Sequence, residues 1–290
     1  MKIGFLFLCH DNPGQTADIV KRLLKGTDNE AVIHVDLKAD INEFRALLKE
    51  CERAHFIEDR VRAYWAGFNA TAAIIKMLEK ALELKCDRLV IVQSMSVPLA
   101  SNEEIRDFFL RYPETEFIRA VNVTKASQKV HYMKCHGYHL ANVDVKAWDN
   151  PKSILHHIIS VINKTGIKYR KGYYYDPVEK RRYDVYWGWI HIAITGECAE
   201  HIINVYKNNP GFNRYFMHVF PSDETYIASV IFNSEFASRT VMGGDEPENT
   251  DIRIMNYFEY LKGRVRVFEN ISELPDIDRE RYLFARKIRN

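Results

Sequence analysis

The sequence lacks several features that mark common classes of protein. No apolar run approaches the about 20 residues of a membrane-spanning helix, so the sequence predicts none. Lys and Arg number 41 and Asp and Glu 39, a balance that gives no reason to expect nucleic acid as a partner. No Gly-x-Gly-x-x-Gly follows the first apolar run and no Gly-Lys-Ser/Thr loop occurs, which removes the main support for a dehydrogenase or a P-loop enzyme.

Cysteine is also scarce, and its pattern bears on the compartment. The five cysteines are scattered, and none forms a Cys-x-x-Cys pair. Such thiols fit a reducing environment, so we expect a cytoplasmic protein. The apolar start, residues 1–8, runs directly into a polar segment without a small-residue cleavage site, so we interpret it as a first strand rather than a signal peptide.

Strand-like and helix-like segments alternate over the first hundred residues. Apolar runs typical of buried strands occupy residues 2–9, 31–35 and 88–92. Helical spacing of apolar residues occupies residues 12–24, 41–51 and 69–84. Ser101 and Glu104 have the spacing of a capping box at a further helix start. This order predicts an α/β fold with a mostly parallel central sheet flanked by helices.

The second half of the sequence is more mixed. Its patterns predict strands over residues 117–121, 130–140 and 186–195, and helices over residues 153–162, 197–207 and 221–232. No linker, repeat or low-complexity tract interrupts the chain. We therefore expect a single domain over residues 1–290, with a nucleotide-binding half over residues 1–115 and an acceptor and catalytic half over residues 116–290 that ends in a docked tail.

Polar residues follow the predicted strands at their carboxyl ends, where ligands of parallel sheets bind. His10, Asp36 and residues 93–96 all follow such ends, so we expect them to cluster. Further along, residues 221–224 read Pro-Ser-Asp-Glu at a helix start. An ordinary capped helix explains this segment if it is taken alone. The functional alternative makes Glu224 a general base beside an apolar pocket.

Two cations later in the sequence also allow two interpretations: an ordinary exposed residue or part of a binding site. Arg253 and Lys287 are typical of exposed residues when each is considered alone. Residues 282–285 are apolar enough to dock, however, and docking would carry Lys287, together with Arg286, to a fixed place. Two such cations can hold a pyrophosphate group.

Two other segments invite readings that we keep as alternatives. In a strand, His131, Cys135 and His139 would share one face, but their spacing matches no common zinc pattern, which favours a core or pocket strand. Residues 168–186 interleave six Lys or Arg with six Tyr. Such a segment can bind nucleic acid or sugars, and we interpret it as a flap beside an active site rather than an RNA-binding loop.

Seven segments match one family in order and spacing. They are residues 5–13, 32–38, 62–68, 89–99, 188–197, 221–224 and 283–287. The sequence resembles the core-2/I-branching β-1,6-N-acetylglucosaminyltransferases, whose relatives include protein xylosyltransferases and bacterial proteins. The resemblance implies a GT-A type glycosyltransferase that inverts the anomeric centre, uses a UDP-sugar and needs no divalent metal or other cofactor.

The resemblance also implies roles for individual residues. It places Asp36 at the uracil, Glu224 at the catalytic base, and Arg253 and Lys287 at the diphosphate. We assign the remaining candidates to the nucleotide (His10 and Arg62) and to the sugar or acceptor pocket (Trp65, Ser96, Trp189 and Asp223). Residues 93–98 contain no acid that could hold a metal, which agrees with charge neutralisation by side chains. Many relatives carry Asp where this chain has Ser96, which weakens inference about the substrate.

The expected reaction is transfer of a sugar, with N-acetylglucosamine as the first expectation, to a glycan hydroxyl in surface polysaccharide synthesis of a bacterium. A UDP-xylose-dependent xylosyltransferase and an inactive nucleotide- or glycan-binding relative remain alternatives. The expected partners are a UDP-sugar donor and a glycan or lipid-linked glycan acceptor, without nucleic acid. Such an acceptor would bring the protein into peripheral contact with the inner membrane.

Overall fold

A computed structural model describes residues 1–125, 135, 139, 154, 157–158, 161–162, 172–245, 253–261 and 264–289. Most of the predicted strand over residues 130–140 and of the predicted helix over residues 153–162 lies outside these ranges. His131 lies outside them as well, so the zinc alternative stays untested. Among the described residues, no helix is long and apolar enough to cross a membrane.

The central sheet has five strands in the order β10-β4-β1-β2-β3. Strands β1 to β4 are mutually parallel, and β10 pairs with β4 in the antiparallel sense at one edge. The five strands are β1 (Ile3–Cys9), β2 (Glu30–Val35), β3 (Ala54–Phe56), β4 (Arg88–Gln93) and β10 (Ala193–Thr195).

Helices cover the sheet, which confirms the predicted α/β class with a mostly parallel central sheet. They are α1 (Pro13–Leu24), α2 (Ile41–Leu47), α3 (Phe68–Glu83), α4 (Asn102–Arg111), α5 (Gly196–Asn208), α6 (Pro210–Phe216) and α7 (Ser222–Phe232). Short 3-10 helices occupy Glu235–Arg239 and Ile271–Glu273. The predicted capping box is present at α4, where Ser101 Oγ accepts from the Glu104 N–H and the Glu104 carboxylate accepts from the Ser101 N–H.

Each face of the central sheet has its own hydrophobic core. In β1, Leu6 packs with the core under α3, α5 and α7, whereas Phe5 and Phe7 pack with the core under α1, α2 and α4. This alternation follows from the two-residue period of a strand. Because both faces are covered, the strands read as continuous apolar runs, which is why the sequence revealed them.

A second, three-stranded sheet carries the end of the chain. Its order is β11 (Met255–Tyr257), β14 (Tyr282–Ala285) and β5 (Val97–Pro98). Strand β14 is parallel to β11 and antiparallel to β5, and its four residues are buried. The Leu99 N–H donates to the Leu283 carbonyl at 2.8 Å. The C-terminal segment is therefore docked next to the carboxyl end of β4.

The remaining strands form small pairs. They are β6 (Ala120–Asn122) with β9 (Tyr186–Gly188), β7 (Tyr173–Asp176) with β8 (Arg181–Asp184), and β12 (Tyr260–Leu261) with β13 (Arg264–Val265). The prediction of one strand over residues 186–195 is wrong. Strand β9 pairs with β6, and β10 pairs with β4, so the segment splits between two sheets. The four residues between these strands enter the site described below.

Candidate active site

Glu224 lies in the first turn of α7 and is half-buried. Its Oε2 accepts a hydrogen bond from the indole Nε1 of Trp187 at 2.8 Å. The start of the helix is fixed by Ser222, whose N–H donates to the Ala66 carbonyl and whose hydroxyl donates to the Phe216 carbonyl, each at 2.9 Å. The carboxylate is thus held on a rigid element in a fixed direction.

Asp223 lies beside Glu224 and shares the same crevice. The crevice is lined by Ile118, Trp189, Ile190, Ile192, Asp223, Glu224, Ile227 and Ala228. The Glu224 N–H donates to Asp223 Oδ1 at 3.0 Å. Burial raises the pKa of Asp223 to about 6, opposed by hydrogen bonds from the Glu224 and Asp223 N–H groups. Loss of water around a carboxylate disfavours its charged form, so the crevice is a dry environment for proton transfer.

Aromatic rings surround this crevice. The Trp189 ring lies 5.2 Å from Trp187, 5.1 Å from Phe258 and 6.0 Å from Tyr260, between ring centres. Burial and the negative charge of Glu224 raise the pKa of Tyr260 to about 12, and the positive charge of Arg286 opposes this. Tyr260 therefore lies within electrostatic reach of both charged groups.

Two cations follow the docked strand β14. Arg286 donates from Nη1 to Gln93 Oε1 and to His191 Nε2. Burial lowers the pKa of Arg286 to about 10, and electrostatic interactions with Tyr260 and with the Glu224 carboxylate oppose the shift. Lys287 is half-buried; burial and the adjacent Arg286 lower its pKa, and Asp11 opposes the shift. The tail thus brings Arg286 to Gln93 at the end of β4 and brings Lys287 within the electrostatic influence of Asp11, which follows β1.

The residues predicted for the nucleotide lie at the carboxyl ends of β1 and β2. The Asp36 N–H donates to the Cys9 carbonyl at 2.7 Å, which places Asp36 next to His10. Asp36 is buried; its Oδ1 accepts from the Lys38 N–H at 2.8 Å, and its Oδ2 lies 3.4 Å from Lys38 Nζ. His10 is exposed and lies 3.5 Å from Asp11 Oδ2.

Arg62 and Trp65 belong to the loop between β3 and α3. Arg62 is exposed and follows Val61, whose carbonyl accepts from the Leu37 N–H. Trp65 is 72% exposed, and its ring meets the edge of Phe220 at 5.4 Å. Since Ala66 bonds to the start of α7, this loop lies beside the Glu224 crevice.

Ser96 and Arg253 have surroundings that the sequence did not reveal. Ser96 is fully buried, and its hydroxyl has no hydrogen-bond partner within the described residues. Arg253 precedes β11, at the opposite end of the parallel β11–β14 pair from Lys287. Its side chain reaches back so that Nη1 donates to the Phe258 carbonyl at 2.7 Å.

The structure adds Trp187, His191 and Tyr260 to the residues expected from the sequence. Trp187, Trp189 and His191 lie two residues apart and share one side of the chain, since Trp189 contacts both neighbouring rings. A period of two across an aromatic segment was a readable signal for the first two additions. No local pattern marked Tyr260, which reaches the site only through the packing of β12.

Comparison with known proteins gives a family. A family model described as Core-2/I-Branching enzyme matches residues 3–246. No curated protein matches the chain significantly. Among solved structures, the chain is similar to that of mannose-1-phosphate geranyltransferase from Thermus thermophilus, with 11% identity and a TM-score of 0.34, a likeness too weak to carry an argument. That match covers 75% of this chain and 63% of the other, so the chain spans less than two thirds of its length. Because the family model covers most of the sequence, the protein belongs to the Core-2/I-Branching enzyme family, which indicates a glycosyltransferase.

Proposed function

We propose that the protein is an inverting, metal-independent glycosyltransferase that moves a sugar from a UDP-sugar to a glycan hydroxyl. The observation that carries this proposal is the half-buried carboxylate of Glu224, oriented by Trp187 and within electrostatic reach of Arg286. A carboxylate fixed in a crevice near a cation suits transfer of a proton and stabilisation of a departing anion.

The reaction is a single in-line displacement. Glu224 takes the proton of the acceptor hydroxyl while that oxygen forms a bond to C1 of the donor sugar. The bond between C1 and the phosphate oxygen breaks on the opposite face, and its electron pair leaves with UDP. An α-linked donor thereby gives a β-glycoside.

The departing UDP needs positive charge at its β-phosphate, and Lys287 with Arg253 is proposed to supply it. Many glycosyltransferases would use a metal ion for the same purpose. Lys287 is half-buried next to the carboxyl end of β1, where reduced hydration strengthens its attraction for an anion. Arg253 is the less direct candidate, because its guanidinium already donates to the Phe258 carbonyl.

The other candidates divide between the two substrates. Asp36, His10 and Arg62 form the proposed nucleotide side, at the ends of β1 and β2 and in the loop that follows β3. Trp65, Ser96, Trp189 and Asp223 form the proposed sugar and acceptor side. Exposed or half-buried indole rings such as those of Trp65 and Trp189 offer flat apolar faces for sugar rings.

The proposed donor is UDP-N-acetylglucosamine, and the proposed acceptor is a glycan, free or lipid-linked, in bacterial surface polysaccharide synthesis. UDP-xylose is the alternative donor. With a lipid-linked acceptor, the protein would work in the cytoplasm in peripheral contact with the inner membrane. Nucleic acid has no part in this function.

A panel of UDP-sugars tests the proposal. Binding to the folded state alone raises the melting temperature, so UDP and the true donor should both raise it. Release of UDP with acceptor glycans should then occur with UDP-N-acetylglucosamine. Stabilisation by UDP without release of UDP from any donor would favour an inactive relative. The Ser at position 96, where many relatives have Asp, supports that alternative. Neither stabilisation nor release would contradict the proposal as a whole.

A further inference from the structure

Three side chains from separate elements meet at one point. Gln93 ends β4, His191 lies between β9 and β10, and Arg286 follows β14. Arg286 Nη1 donates to Gln93 Oε1 and lies within hydrogen-bond distance of His191 Nε2, and His191 Nε2 in turn lies 3.0 Å from Gln93 Oε1. We call Gln93 and His191 the neutral clamp. Through the guanidinium of Arg286, the neutral clamp connects the central sheet, the segment between β9 and β10, and the docked tail.

The clamp carries no negative charge. Gln93 is an amide, and His191 is 3% exposed, so burial, together with the nearby Arg286, lowers the pKa of His191 well below its usual value. A neutral imidazole that accepts at Nε2 must carry its proton on Nδ1. The Nδ1 atom is buried and, within the described ranges, has no hydrogen-bond partner.

A cation removed from water is normally paired with an acid, because burying an unpaired charge is costly. Here both groups that bond Arg286 Nη1 are neutral, and the Nε atom is buried without a partner among the described residues. The carboxylate of Glu224 also acts on Arg286 electrostatically. The residue as a whole is half-buried. An incompletely paired guanidinium of this kind is completed by an anion with planar or forked oxygens.

We propose that Gln93 and His191 position the guanidinium of Arg286 to receive the diphosphate of the donor while leaving its positive charge uncompensated. The inference rests on the proposed function, since the donor supplies the anion. Gln93 and His191 are positioning residues that act through Arg286. A carboxylate in their place would hold the guanidinium equally firmly but would cancel the charge that attracts the phosphate.

A double-mutant cycle tests whether the clamp acts through Arg286. His191→Phe keeps a buried planar ring and removes the acceptor nitrogen. We expect it to weaken UDP binding about 10-fold in the wild-type background, as calorimetry would measure, since bonds to charged groups are strong. In an Arg286→Met background the same change should have no further effect, because the group it positions is gone. Equal losses in both backgrounds, or UDP binding by His191→Phe like that of the wild type, would overturn the proposal.

Companion variants separate positioning from folding. His191→Gln offers a neutral acceptor and should recover most of the UDP affinity, whereas Gln93→Glu should weaken binding although it holds Arg286. His201→Phe makes the same exchange on α5, where the ring packs on Phe236 instead, and should leave UDP affinity unchanged. Melting temperatures identify any variant that fails to fold. UDP affinity unchanged in Gln93→Glu would contradict the need for an uncharged clamp.

Nitrogen NMR of His191 tests the geometry of the neutral clamp in the absence of any nucleotide. The contact with Arg286 requires the Nδ1–H tautomer at pH 7, and the imidazole nitrogen shifts report it directly. The rival arrangement has Nε2–H donating to Gln93 Oε1, and its observation would overturn the clamp. If the wild type binds no UDP, the proposed function fails on that result, and the tautomer still decides the geometry of these three residues.

Discussion

The carboxylate of Glu224 is the side chain on which transfer depends in the proposed mechanism. Glu224→Gln keeps the size of the group and an oxygen that accepts from Trp187, but the amide takes up no proton. We expect kcat to fall at least about 100-fold, the usual contribution of a general base, with UDP affinity within about twofold of the wild type.

Steady-state assays of UDP release, together with calorimetry of UDP binding, measure these two quantities. Glu235→Gln is a matched control, since Glu235 is exposed in the 3-10 helix that follows α7. It should leave both unchanged. Turnover by Glu224→Gln at the wild-type rate would remove Glu224 as the base.

Lys287 is the second residue for which the proposed mechanism predicts a large effect on UDP binding. Lys287→Met removes one half-buried cation, and we expect the dissociation constant of UDP to rise about 10-fold or more. Arg289→Gln, two residues further on, removes an exposed cation that is paired with Glu269 at 3.1 Å. It should change UDP affinity little. Similar small effects in both variants would mean that Lys287 does not contact the nucleotide.

Sequence patterns identified single residues when a local rule marked them. Ser101 and Glu104 were visible as a capping box because its two hydrogen bonds join residues only three apart. Tyr260 was not visible, because it acquires its surroundings from elements far away in the chain. Ser96 was noticed as a departure from relatives, but its complete burial is a tertiary property that no sequence pattern states.

Strand β14 is the element that positions the cations Arg286 and Lys287. Phe284 is 1% exposed, and its ring centre lies 6.5 Å from that of Phe5 in the central sheet. Phe284→Ala should lower the free energy of unfolding by about 3–5 kcal/mol, the usual cost of truncating a buried Phe. It should also weaken UDP binding, because Arg286 and Lys287 depend on the docking of this strand.

Chemical denaturation gives the first quantity and calorimetry the second. Val178→Ala is the control, since Val178 is 89% exposed at the turn between β7 and β8. Its free energy of unfolding should change by about 0.5 kcal/mol or less. Loss of stability in Phe284→Ala with unchanged UDP affinity would separate the docked tail from the nucleotide site.

Elements buried on both faces were the most predictable. Strands β1, β2 and β4 appeared in the sequence as apolar runs because burial there is nearly complete, and helix α3 appeared as an apolar stripe on its buried face. The segment over residues 186–195 was misjudged as one strand. Its apolar character comes from packing in two places, and nothing in its composition marks where β9 leaves one sheet and β10 enters another.

At the scale of the whole molecule, acid stability depends in part on Glu30. Its carboxylate lies 2.7 Å from Lys2 Nζ and 2.9 Å from His55 Nε2. Burial raises the pKa of Glu30, but hydrogen bonds from Lys2 and His55 lower it further, so the folded value is below the ordinary one. The resulting stability is present above the unfolded pKa, about 4.3, and is lost as the pH falls through the folded pKa.

Melting temperatures between pH 7 and pH 3 test this linkage. The wild type should lose more of its melting temperature on acidification than Glu30→Gln, in which the titrating group is absent. Glu43→Gln, at an exposed position in α2, should retain the wild-type dependence. An acid sensitivity that is the same in all three proteins would exclude Glu30 as a contributor.

The α/β class and the sheet with parallel strands followed from the order of the elements in the sequence, since alternating strands and helices allow few arrangements. The placement of the tail against β5 did not follow, because pairing between strands so distant in the chain leaves no local pattern. The family match supports a glycosyltransferase.

The measurement closest to the central claim is the rate of UDP release from UDP-N-acetylglucosamine with an acceptor glycan, with and without EDTA. If fixed side chains stabilise the departing diphosphate, the wild-type rate should be unchanged by EDTA, and added Mg²⁺ or Mn²⁺ should not restore the slower Lys287→Met variant. Loss of wild-type turnover in EDTA, recovered by a divalent metal, would contradict the claim directly.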